Sequence, residues 1–299
     1  MQKWLNLMSD GSERVPYNVP DFPVFARRTS LRQTVPPHWH DDLEFSCVLS
    51  GRMNCFVNGD VLTLDVGQGI FVNSRQLHAN FSWNGTDYRH CSLLVHPSLL
   101  GAHPYLQEHC IRPLTDNPAF AFQVFSGDVP WQREVLEGVQ EACAAFESGA
   151  PEMGMLVQAQ AFRIAALLLR HMPAAENAVP VDRRLMTLRD MVGYVQKHYA
   201  AKVSLGDIAA AGHVSVSTCC DIFRRHMHET PLQYLTHYRL EKAMGLLRNP
   251  GLSVTEVALS TGFFGASYFA ETFRREYGLS PTRWRRAQSA EARERDERF

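Results

Sequence analysis

Ser204-Leu-Gly-Asp-Ile-Ala and Ser253-Val-Thr-Glu-Val-Ala are one pattern written twice, 49 positions apart. After one inserted residue the offset becomes 50: Phe223-Arg-Arg falls on Phe273-Arg-Arg, and Thr230-Pro231 and Tyr234 fall on Ser280-Pro281 and Trp284. Each copy opens with a capping box, Ser204 with Asp207 and Ser253 with Glu256, whose side chains satisfy N–H groups left bare by the first helical turn. A short helix is predicted next, then a glycine turn at Gly212 or Gly262, then a second amphipathic helix. Its inward stripe is Ile222 and Phe223 in the first copy and Phe269 and Phe273 in the second. Between the copies, Tyr238 to Arg248 reads as a connecting helix with Leu240, Met244 and Leu247 on one side.

Two short helices joined by a tight turn form a helix-turn-helix, and here there are two. Packing the apolar stripe inward leaves the N-terminal outer face of each second helix free to enter a major groove, with the Arg pairs near phosphates. Two such helices on one side of a duplex would meet successive groove segments about 34 Å apart. Charge agrees with this. The chain carries a net charge of −1, but residues 1–181 hold 12 Lys and Arg against 18 Asp and Glu, whereas residues 182–286 hold 15 against 9. The excess of cations sits on the duplicated half, as a nucleic-acid partner requires.

Residues 188–286 resemble the DNA-binding domain of AraC/XylS-family bacterial transcription regulators, most specifically through Gly262-Phe263-x-x-x-Ser267-Tyr268-Phe269-x-x-x-Phe273-Arg274-Arg275-x-x-Gly278-x-x-Pro281. Position by position, the resemblance implies that Ser217, Cys220 and Asp221 face bases from the first reading helix, and Ala266, Ser267, Ala270 and Glu271 from the second. Arg224, Arg225, Arg274 and Arg275 would lie near the DNA backbone. Cys219 departs from the large apolar residue usual in the family. The first outer face holds an acid and neither Arg nor Gln; Asp221 and Glu271 can accept from cytosine N4.

The acidic half reads differently. Arg52–Val57 and Asp60–Asp65 flank Asn58-Gly59, which tolerates the positive φ angles of a two-residue hairpin turn. Further strands are predicted at Leu43–Leu49, Ile70–Asn73 and Tyr88–Val95, giving an antiparallel sandwich or barrel. His38 and His40 alternate onto one side of an extended segment, with Glu44 after them and His78 able to arrive from a neighbouring strand. Three imidazoles and a carboxylate suit a divalent metal such as Zn, Mn, Fe or Ni. The order His-x-His-x3-Glu, then Gly51, Gly67-x-Gly69 and His78, is similar to the two motifs of a cupin barrel over roughly residues 20–95, without the usual Gly ahead of the first His. Many AraC/XylS regulators carry a cupin as sensor. Three readings of His38, His40, Glu44 and His78 follow: a metal-free effector pocket, a metal-assisted sensor, or a hydrogen-bonded interior. Phe45, Phe56, Phe71 and Trp83 are candidate pocket walls.

Trp131–Phe146 and Met155–Leu169 both show helical spacing of apolar residues, separated by Ser148-Gly149-Ala150-Pro151. The expected organisation is an α+β chain of two domains. Residues 1–129 form a cupin-like effector-binding β-barrel and 130–172 a helical hairpin for dimerisation. A linker at 173–181 leads to an all-α DNA-binding domain at 182–286 with two helix-turn-helix units, followed by a charged tail at 287–299. The most apolar stretch, Ala161–Leu169, is interrupted by Arg163, Met1–Asp10 has no apolar core, and the seven Cys form no C-x-x-C pair. A membrane partner, a signal peptide and a disulfide framework are therefore not expected, and the cytoplasm is. No phosphate loop or nucleophile elbow occurs, so an enzyme is not expected. The expected partners are double-stranded DNA, a small-molecule effector and a second copy of the chain. The resemblance adds activation through RNA polymerase, with sugars or aromatic acids as the usual effectors. The competing reading is a metal-dependent cupin enzyme fused to a DNA-binding module.

Overall fold

A computed structural model describes residues 12–17, 19, 21–31, 35–82, 86–177 and 183–287. Trp83, most of the linker's second half (178–181) and the tail beyond residue 287 lie outside the described residues. The chain divides into two compact units, Met1–Met186 and Thr187–Phe299.

In the first unit, β1 (Val24–Leu31), β7 (Tyr88–Val95), β2 (Leu43–Ser50), β5 (Gln68–Val72) and β8 (Phe122–Ser126) pair in that order as an antiparallel five-stranded sheet. A second sheet has the order β4 (Asp60–Leu64), β3 (Met53–Val57), β6 (His78–Ser82). The β3–β4 hairpin turns on Asn58 (φ 52°) and Gly59 (φ 109°), the positive angles for which that dipeptide is suited.

Strand alternation gives each face of the larger sheet its own task. Leu43, Phe45, Cys47, Phe71, Cys91 and Leu93 pack against α1 (Pro130–Ser148) and α2 (Met153–His171), through Val135, Val139, Ile164 and Leu168 among others. On the other face, Val48, Ile70, Val72 and Tyr88 meet Met53, Cys55, Val57 and Leu64 of the smaller sheet. Phe45 and Phe71, stacked with centroids 5.1 Å apart, therefore belong to the helix-facing core and do not line the space between the sheets. Phe56 likewise alternates out of the inter-sheet cluster. Alternation identifies the two faces of a strand but not which one looks inward, and this is why these residues read as pocket walls.

The described residues of the second unit are helical: α3 (Arg183–His198), whose first turn precedes the division, α4 (Leu205–Ala211), α5 (Val216–Met227), α6 (Pro231–Leu247), α7 (Val254–Ser260) and α8 (Ala266–Tyr277). Both capping boxes are formed, with Asp207 N–H donating to Ser204 Oγ at 3.2 Å and Glu256 N–H to Ser253 Oγ at 3.1 Å. The turns also repeat bond for bond: Val214 N–H reaches Ala209 O, and Phe263 N–H reaches Ala258 O. The left-handed residue, however, is His213 (φ 53°) in the first copy and Gly262 (φ 83°) in the second; Gly212 is not the hinge. Histidine is among the residues that tolerate this region. Gly212 is small for another reason, since a Cβ there would come within 2.7 Å of Met191 Cγ. Phe223, Phe269 and Phe273 are fully buried, each contributing roughly 2–3 kcal/mol of apolar burial.

Candidate functional site

His38, His40, Glu44 and His78 converge on the inner side of the first unit. They are 4%, 3%, 5% and 2% exposed, and one ligand atom from each lies within 4.8 Å of the others. The backbone arranges this. His38 and His78 exchange both main-chain hydrogen bonds, at 3.0 and 2.9 Å, at the end of β6, and Glu44 projects from the inner face of β2. Every imidazole is also clamped by its own chain: Nδ1 of His38 bonds Pro36 O at 2.9 Å, that of His40 bonds Asp42 O at 3.1 Å, and that of His78 bonds Gln76 O at 2.8 Å.

A carbonyl oxygen only accepts, so each Nδ1 carries a proton and each Nε2 is the inward atom. Nε2 of His40 and of His78 stand 3.1 and 2.9 Å from Glu44 Oε2. An unprotonated Nε2 and a carboxylate oxygen are both acceptors, so each contact requires a second ring proton or a cation. Burial alone would raise the Glu44 carboxyl, but the charges of His78 and His40 and their hydrogen bonds outweigh it and hold the group well below the ordinary range. Orientation of imidazole Nε2 by an Nδ1–H to a backbone carbonyl is the arrangement seen around metal-ligating histidines, and the donor set fits a divalent transition ion.

Several residues at this site escaped sequence reasoning. Glu13 reaches in from the N-terminal segment, with Oε2 3.4 Å from His38 Nε2, held by a hydrogen bond from its N–H to Trp39 O. It shares no spacing with the histidines and left no signal. Ser46, Ser92 and Asn80 extend the polar array: Ser46 Oγ donates to Glu44 Oε1 at 3.2 Å and lies 3.3 Å from Ser92 Oγ. His90, on the same inner face, is buried, and desolvation lowers it to about 4. Tyr88 Oη and His90 Nδ1 have no hydrogen-bond partner among the described residues. Beside the cluster, a cleft of about 700 Å³ is lined by Glu13, Arg14, Tyr17, Asp41, Asp42 and His96 among others; Glu13 belongs to both.

In the second unit, Ser217, Asp221, Arg224 and Arg225 of α5 are exposed and Cys220 is half-buried. On α8, Ser267, Glu271, Arg274 and Arg275 are exposed, with Ala266 and Ala270 half-buried. Phe264 in the second turn and Tyr268 on α8 are 77% and 58% exposed, large apolar surfaces that repeat matching alone had not singled out.

A family model described as a helix-turn-helix domain matches residues 208–287, and one described as a cupin domain matches residues 31–95. An uncharacterized HTH-type transcriptional regulator, YdeC of Bacillus subtilis (strain 168), is 26% identical over 285 residues, covering 93% of this chain and 96% of that protein. The HTH-type transcriptional activator RhaS of Klebsiella pneumoniae (strain 342) is 28% identical over 262 residues, covering 85% and 89%. Among solved structures, ToxT from Vibrio cholerae O395 aligns with a TM-score of 0.46 at 10% identity, over 88% of this chain and 97% of that one.

Proposed function

We propose that the chain is an AraC/XylS-family transcription regulator, an effector-controlled activator whose α5 and α8 read DNA. The observation that carries this is the doubled helix-turn-helix, repeated in capping boxes, turn hydrogen bonds and outward Arg pairs. Ser217, Cys220, Asp221, Ala266, Ser267, Ala270 and Glu271 face the bases, while Arg224, Arg225, Arg274 and Arg275 neutralise phosphates. The activator RhaS, similar along most of its length, favours activation over repression, and RNA polymerase would then be the downstream partner.

The effector binds in the first unit at His38, His40, Glu44 and His78, approached through the adjoining cleft. The same four residues would hold a divalent metal, which would supply a positive centre for an oxygen-bearing effector. The chain works without catalysis, in line with regulators such as YdeC and RhaS. A second copy docks on α2, where Met155, Ala159, Phe162 and Ala166 form an outward stripe at spacings of four and three; Met155 is 79% exposed. No helix among the described residues is long and apolar enough to cross a membrane.

The deciding experiment is binding of the full chain to promoter fragments from its own locus and to random duplex, across a salt series. Preference for the promoter that persists as salt rises is expected. Equal binding to both at every salt would overturn the reading, since phosphate contacts alone are sequence-blind.

A further inference from the structure

The two reading helices match more closely than the fold demands. From the N-caps Ser215 and Gly265 to the left-handed residues His228 and Gly278 that close them, α5 and α8 align at a constant offset of 50. The inward positions coincide through Cys219, Ile222 and Phe223 in α5 and Phe269, Thr272 and Phe273 in α8, and diverge only at the end of the helix, where His226 is buried and Glu276 exposed. The outward positions coincide in chemistry as well. Ser217 pairs with Ser267, Cys220 with Ala270, Asp221 with Glu271, and the Arg224-Arg225 pair with Arg274-Arg275. Nothing in the packing of a helix requires its solvent face to repeat.

We propose that α5 and α8 carry one base code twice, so that the operator presents the same short sequence in two successive major-groove segments. This rests on the reading of the chain as a sequence-specific DNA-binding regulator. The code follows from what the repeated side chains can do. A carboxylate only accepts hydrogen bonds, and the major-groove donors are the exocyclic amino groups of cytosine and adenine. On the same base, adenine presents the acceptor N7 beside N6 and so repels a carboxylate, whereas cytosine presents only its C5–H beside N4. Asp221 and Glu271 therefore each select a C·G pair. The small Cys220 and Ala270 one position earlier let the helix approach closely and pack on a thymine methyl group. Neither face offers Arg, Lys, Asn or Gln at these positions, so the bidentate reading of guanine or adenine is absent from them. Each Arg pair begins three residues after its acid, nearly one helical turn further along, where it offsets the repulsion between that acid and the phosphates. The faces differ at Thr218 and Tyr268, and Phe264 is the inserted residue of the second turn, so the copies are expected to diverge at their flanks.

The test is selection of the full chain on a random-duplex pool, followed by affinities for variants of the selected site. One short motif recurring at a spacing of about 10–11 base pairs, in either orientation, with C·G at the equivalent place in each copy, is expected. Asp221→Ala should relax that preference in one copy and Glu271→Ala in the other, each by about tenfold. Cys220→Ala/Asp221→Glu, which gives α5 the small side chain and acid of α8, should keep affinity within about threefold, the positions being equivalent. Two unrelated motifs would overturn the proposal while leaving the regulator reading intact. So would a loss beyond tenfold in that double variant with unchanged thermal unfolding. A pool from which no sequence is enriched would remove both.

Discussion

Arg239 occupies the space above the Cα of Gly262: a Cβ added to that glycine would come within 2.9 Å of the arginine Nε and 3.0 Å of Nη2, and against the carbonyl oxygen of Tyr199. The same guanidinium donates from Nε to Tyr199 O and from Nη2 to Ala201 O, both at 2.8 Å. One side chain of α6 thus ties the segment leading into the first helix-turn-helix to the turn of the second. Gly262→Ala should destabilise the second unit by about 2 kcal/mol or more, from left-handed strain and the displaced guanidinium together. His213→Gly, at the equivalent turn without that crowding, should change stability by less than about 1 kcal/mol. Thermal unfolding of the two variants checks the contrast, and equal effects would contradict it.

Glu44 gives the first unit a defined acid sensitivity. Its carboxyl is held well below the unfolded value of 4.5, so its stabilisation is complete above that pH and is lost as pH falls toward the lowered folded value. Glu44→Gln should destabilise the first unit by about 1–3 kcal/mol at neutral pH, because the buried carboxylate that contacts His40 and His78 is replaced by a neutral amide. The gap between wild type and variant should then narrow below pH 4.5. Unfolding curves at several pH values would expose a constant gap if Glu44 were not responsible.

Three imidazoles and the Glu44 carboxylate, with ligand atoms within 4.8 Å of one another, should take up a divalent ion. Adding Zn²⁺, Ni²⁺ or Mn²⁺ to chelator-treated protein is expected to raise the unfolding temperature, with about 2.7 kcal/mol of stabilisation at 100 times the dissociation constant. His40→Ala and His78→Ala should abolish the shift. An equal shift in those variants would assign the ion to another site.

Phe162 lies 37% exposed on α2, in line with Met155 one heptad before it. Phe162→Glu should turn a dimer into a monomer in sedimentation experiments while altering thermal stability by no more than about 0.5 kcal/mol, as expected of a surface position. A variant that still sediments as a dimer would place the interface elsewhere.

Legibility in the sequence followed physical lines. The capping boxes, the Asn58-Gly59 turn and the Phe223 and Phe273 triplets are local, and local chemistry is written in adjacent residues. β1, β6 and β8, which had not been delimited, are all edge strands. An edge strand needs no continuous apolar pattern, and β1 carries Arg27-Arg28 at its centre. β4 is also an edge strand, but the hairpin turn revealed it. The histidines of the candidate site were found because two sit in one strand-like triplet, whereas Glu13, brought in by a main-chain bond to Trp39, depends wholly on tertiary structure. The hinge at His213 was missed because glycine is the expected solution and histidine a tolerated one.

The clamps on the three imidazoles come from carbonyls only two residues away, Pro36 for His38, Asp42 for His40 and Gln76 for His78. Each ring is therefore aimed by its own stretch of chain and would keep its aim if the sheets separated; what separation would destroy is the meeting of the rings. His38 and His78 also share a main-chain bridge, while Glu44 belongs to the larger sheet. Whatever settles among these side chains acts as a rivet through the seam between two sheets, so its arrival or departure is registered as a change in how firmly that seam is closed.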